Sequence, residues 1–89
     1  MTVTRDVLIA NRRGLHARAS AKFVTLAAQQ PLTVNVAKGG SSVTGTSIMG
    51  LMMLGAAMGD TITISAVGDE ADAVVATMCD LVEAKFGED

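Results

Sequence analysis

Aromatic side chains are almost absent from this chain: it has no tryptophan, no tyrosine and two phenylalanines, Phe23 and Phe86. Its apolar residues, 49% of 89, are therefore aliphatic, and Val, Ile, Leu, Met and Ala must build the core. With almost no aromatics for base stacking and no basic run, nucleic-acid binding is disfavoured. The one cysteine, Cys79, permits no internal disulfide, which fits a reducing compartment and argues against a small secreted scaffold. Cys79 lies in an apolar helical pattern and reads as a buried, inert thiol. One histidine and one distant cysteine supply too few ligands for a metal site, and no cofactor is called for. No nucleophile elbow supports a Ser-His-Asp triad. The longest apolar stretch, Ile48 to Met58, is too short to span a bilayer and is broken by Gly50 and Gly55. The opening Met-Thr-Val-Thr-Arg-Asp has no signal-peptide core. Low-complexity tracts and internal repeats are also missing. The expectation is one domain over 1–89, cytoplasmic and without membrane association.

What is present has a lopsided charge. Residues 1–38 carry six cations against Asp6 alone, and residues 39–89 carry Lys85 against eight acidic residues. This predicts a positive working face in the first half that meets an anion, a phosphate or an acidic protein surface. Within that half stands Asn11-Arg12-Arg13-Gly14-Leu15-His16-Ala17-Arg18-Ala19-Ser20, which holds the lone histidine.

The rest of the chain reads as a scaffold. Thr2 to Ile9 is β-rich, with Val3, Val7 and Ile9 sharing a face with Arg5. Ala17 to about Gln29 is helical, with Ala17, Ala21, Val24 and Ala28 as a stripe that Phe23, Leu26 and Ala27 widen. Gln30-Pro31 stops it. Leu32 to Ala37 alternates as a half-buried strand, Lys38-Gly39-Gly40 turns, and Ser41 to Thr44 completes a hairpin. Thr46 or Ser47 caps a short apolar helix, Ile48 to Leu54. Thr61 to Val67 alternates again, with Ile62, Ile64 and Ala66 inward. Asp69 is a candidate cap for a last helix that carries Val74, Val75, Met78, Cys79, Leu81, Val82, Lys85 and Phe86 at helical spacing. The order β-α-β-β-α-β-α predicts an α+β two-layer sandwich: four antiparallel strands covered on one face by three helices. Thr33, Asn35, Thr61, Thr63 and Ser65 would line the face left to water.

His16 opening a helix has a chemical meaning. Free N–H groups of the first turn, from Ala17, Arg18 and Ala19, would face an anion held on the ring. The helix dipole would keep the imidazole neutral and nucleophilic. Arg18 would fork onto the anion's oxygens. Such a histidine can carry a phosphoryl group as a covalent intermediate. The plainer reading is a surface or capping histidine. The Met-rich stretch 47–54 has two readings as well, core or adaptable protein-binding surface.

Gly14-Leu15-His16-Ala17-Arg18 resembles the phosphohistidine motif of the HPr family, phosphocarriers of the bacterial phosphoenolpyruvate-dependent phosphotransferase system. Ser47-Ile48-Met49-Gly50-Leu51-Met52, followed by Leu54-Gly55 and Gly59, resembles the family's second motif. The resemblance implies an open-faced β-sandwich and a phosphohistidine carrier rather than a stand-alone enzyme. Enzyme I would phosphorylate Nδ1 of His16, Arg18 would assist, and a histidine of a IIA protein would receive the group. Ser47 would be a regulatory site for a dedicated serine kinase, and Ile48, Met49 and Met52 would dock partners on a monomer. Two features depart from the common pattern. Ala19 stands where the family commonly has proline, adding an N–H at the anion site. Asn11-Arg12-Arg13-Gly14 looks more like the nitrogen-related NPr branch. The competing readings are a non-catalytic regulatory module acting through the Met-rich helix, and a small-ligand-binding domain, which a core this small makes weaker.

Overall fold

A computed structural model describes residues 1–88. Alternating β-branched residues give β1 (Thr2–Leu8) and β4 (Thr61–Val67), and a shorter hairpin gives β2 (Asn35–Lys38) and β3 (Ser41–Thr44). All pairings are antiparallel, in the order β1-β4-β2-β3. The sequence neighbours β2 and β3 thus lie at one side, and the first strand pairs the last. Val7, Val36, Ile62, Ile64 and Ala66 are buried on the face covered by helices α1 (Ala17–Ala28), α2 (Ile48–Met53) and α3 (Ala71–Glu83). This is the expected open-faced α+β sandwich. No helix among the described residues is long and apolar enough to cross a membrane.

Four local expectations need correction. The buried stripe of α1 is Ala19, Ser20, Phe23 and Ala27, while Ala17 and Ala28 are exposed. Alanines lie on both sides of α1 and mark no single stripe; the ring of Phe23 is the bulkiest group on the buried face, and Ser20 joins that face because its hydroxyl donates to the Leu15 carbonyl at 3.2 Å. β2 starts at Asn35, not Leu32, leaving Thr33 exposed outside the sheet. The cap position of α3 falls on Glu70, without a side-chain hydrogen bond, rather than on Asp69. Finally, α3 ends before Phe86. Lys85, Phe86 and Gly87 form a 3-10 turn in left-handed backbone, with φ of 59°, 55° and 76°.

That turn reverses the chain. Phe86 remains 1% exposed in the core, and Lys22 donates from Nζ to its carbonyl at 2.7 Å. Left-handed backbone at two side-chain-bearing residues costs about 1–2 kcal/mol each, and burial of the Phe86 ring offsets it. Cys79 is buried, and burial pushes its thiol up.

Candidate phosphohistidine site

The loop before α1 is stitched to the loop after α2. Ile9 N–H donates to the Asp60 carbonyl and Gly59 N–H to the Ile9 carbonyl, each at 2.8 Å, and Leu15 N–H donates to the Ala56 carbonyl at 2.9 Å. Gly14 sits at φ +62°, and a Cβ there would lie 2.2 Å from the Ala56 oxygen. Glycine is required twice over, by conformation and by space. Asp60 braces the second loop by accepting from Ala57 N–H at 2.9 Å. That bond, with Lys38 at 3.5 Å, holds its carboxyl below the usual range.

His16 is the N-cap residue of α1, in extended backbone, and its side chain makes no capping hydrogen bond. Its carbonyl accepts the first helical bond, from Ser20 N–H at 2.9 Å. The N–H groups of Ala17, Arg18 and Ala19 therefore precede the helical ladder and are open to an outside acceptor. The ring is 21% exposed. Arg18 is exposed on the first turn and forms no ion pair among the described residues; Arg12 and Arg13 are exposed beside it in sequence.

Two groups at the site escaped sequence reasoning, one bonded to His16 and one bonded to that partner. The carboxylate of Glu88 lies 3.0 Å and 3.1 Å from Nε2, although it is 72 residues away along the chain. Asn11, fully buried, donates from Nδ2 to the Gly14 carbonyl at 2.9 Å and to Glu88 Oε1 at 2.7 Å. Asn11 and His16 hold the Glu88 carboxyl below the usual range, the Asn11 bond contributing most. The Asn11 Oδ1 is buried without a partner among the described residues, at a cost of about 1–3 kcal/mol. The positive face inferred from the first half of the chain is thus met by an acidic residue from the second. The one signal in the sequence was Phe86, whose bulk marks the tail as packed against the core.

At α2, Ser47 is the N-cap, and its Oγ accepts from Gly50 N–H at 3.0 Å. Leu51 is buried, whereas Ile48 and Met52 are 39% exposed, Met49 67% and Met53 80%. Met58, in the loop beyond, is 57% exposed. The stretch is thus divided: Leu51 and Leu54 are buried in the core, and Ile48, Met49, Met52 and Met53 are exposed.

The chain is similar to known proteins over nearly its whole length. The family model described as the PTS HPr component phosphorylation site matches residues 3–84. The phosphocarrier protein NPr of Shewanella violacea is 42% identical over 84 residues, covering 94% of this chain and 92% of that protein. The phosphocarrier protein HPr of Neisseria meningitidis is 49% identical over 85 residues, covering 94% of each. The crystal structure of HPr from Thermoanaerobacter tengcongensis superposes with a TM-score of 0.90 at 38% identity, over 98% of both chains. By fold, by match over nearly its whole length and by likeness to both branches, the chain belongs to the HPr family of phosphotransferase-system phosphocarriers.

Proposed function

We propose that this chain carries a phosphoryl group on Nδ1 of His16, taking it from phosphorylated Enzyme I and handing it to a histidine of a IIA-type protein. The observation that carries the reading is the placement of His16. It opens a helix whose first N–H groups no side chain among the described residues caps, while its Nε2 edge is already occupied by Glu88. The Nδ1 edge makes no hydrogen bond among the described residues, so a lone pair there is available. The amides of Ala17, Arg18 and Ala19 receive the phosphoryl oxygens, and the Arg18 guanidinium supplements them. Ile48, Met49 and Met52 dock partners, and the carrier works as a monomer in the cytoplasm.

Ser47 has a second role in this reading, as the target of a serine kinase. A phosphate there adds about −2 charge beside the docking patch and repels an acidic partner without unfolding α2.

Incubation with phosphoenolpyruvate and Enzyme I is expected to add one acid-labile phosphate to the wild-type chain and none to His16→Ala. Equal labelling of the two proteins overturns the assignment.

A further inference from the structure

Glu88 lies beyond residues 3–84, the stretch that matches the family model. The chain reaches it through three successive left-handed residues, fixed by Phe86 in the core and by Lys22 on the Phe86 carbonyl. Asn11 completes the hold. Both atoms facing its Nδ2, the Gly14 carbonyl and Glu88 Oε1, are acceptors, so its amide has one allowed orientation. That orientation leaves Oδ1 buried and unpartnered among the described residues. A side chain chosen only for stability would not leave it so; what Asn11 gains is the grip on Glu88.

The consequence falls on the histidine. A carboxylate has no hydrogen to give, so the bond at 3.0 Å runs from Nε2–H to Glu88. The proton of the neutral ring is thereby assigned to Nε2, and the lone pair to Nδ1.

We propose that Glu88, oriented by Asn11, is a positioning residue that holds His16 in the Nε2–H tautomer and so selects Nδ1 as the phosphoryl acceptor. This rests on the phosphocarrier reading above. In the step, the Nδ1 lone pair forms the new P–N bond while the P–N bond of the donor phosphohistidine breaks, and the donor nitrogen keeps that bonding pair. No proton leaves His16. The ring then bears phosphoryl on Nδ1, hydrogen on Nε2 and a positive charge, which the carboxylate faces from the edge remote from the incoming anion. Donation to the next histidine is the same step reversed.

Glu88→Gln separates geometry from chemistry. The Gln oxygen is needed by Asn11, so the amide NH₂ turns to Nε2 of His16 and requires it to accept, moving the ring proton to Nδ1. Nitrogen-15 NMR of the full chain at alkaline pH is expected to show Nε2–H in the wild type and a shift toward Nδ1–H in Glu88→Gln. Single-turnover transfer from phosphorylated Enzyme I is expected to fall about 10- to 100-fold in maximal rate, by analogy with the loss of a carboxylate that orients a metal-bound imidazole. Half-saturation should hold, and Glu88→Asp should recover part of the rate. Thermal melting of the variants controls for folding.

An unchanged tautomer in Glu88→Gln overturns the proposal. So does a swapped tautomer with an equal or faster transfer, which would mean that the carboxylate merely repels phosphate. A wild-type chain that takes no phosphoryl group would instead overturn the carrier reading, and with it the catalytic purpose of Glu88, while the NMR result would still decide the tautomer.

Discussion

At the residue scale, the site depends on a few groups whose chemistry leaves little freedom. Gly14 is the most constrained. Gly14→Ala would force an L side chain into left-handed backbone and drive a methyl into the Ala56 carbonyl. A loss of about 2–5 kcal/mol is expected from those two penalties together, measured by urea denaturation. A change within the noise would mean the two loops are not locked together. Glu88 gives a pH signature. Its carboxyl is lowered, first by the Asn11 hydrogen bond and then by His16. A lowered acid stabilises the fold fully above its ordinary titration range, and that share is lost as pH falls through the lowered value. Following the Glu88 side-chain carbon by NMR should give a midpoint that rises in Asn11→Ala; an unmoved midpoint would remove Asn11 from the arrangement. The placement of His16 and Arg18 at the opening of α1 was legible in the sequence because helix-start signals are local. Glu88 was not, since nothing in the spacing of an acidic tail says which cation or ring it folds onto.

At the scale of elements, the sequence was legible where side chains alternate in size and polarity. The bounds of β4 were recovered residue for residue, as was the start of α2 after its serine. The inward face of α1 was not legible, because its five alanines lie on more than one side of the helix and blur the stripe. Nor was the end of α3, because Phe86 keeps helical spacing while its backbone leaves the helix. For α2, Ser47→Ala removes the one side chain among the described residues that caps its first turn, where Oγ accepts from Gly50 N–H. A loss of about 0.5–2 kcal/mol is expected by thermal unfolding, whether or not a kinase ever uses the hydroxyl. No loss would mean that water caps α2 equally well. The exposed sulfurs around it explain why so short a helix is so apolar: one leucine holds it to the core, and flexible thioethers face outward.

At the scale of the molecule, the uneven charge along the chain is resolved in space. Each ion pair among the described residues joins the two halves: Arg5 with Glu83, His16 with Glu88, Lys38 with Asp60. The first two are made by α3 and the turn that follows it, which fold back over the beginning of the chain. Exposed pairs such as Arg5–Glu83 add little stability, about 0–1 kcal/mol, so apolar burial must hold this closure. Phe86 is the anchor. Phe86→Ala should cost about 3–5 kcal/mol by urea denaturation, as for other fully buried rings. A cost below about 1 kcal/mol would show the closing turn to be held by its polar contacts instead. Composition could not foretell this closure; it depends on sheet order, which pairs the first strand with the last.

The 72-residue separation of His16 from Glu88 also bears on when the protein becomes competent. During synthesis the histidine is added to the chain well before its carboxylate, an interval of about 4–14 s at ordinary elongation rates. Through that interval the imidazole lacks the partner that sets its proton. If His16 is the acceptor proposed above, a nascent or prematurely released chain carries the signature motif before the acceptor is finished, and competence would arrive only once the late-made turn has folded home.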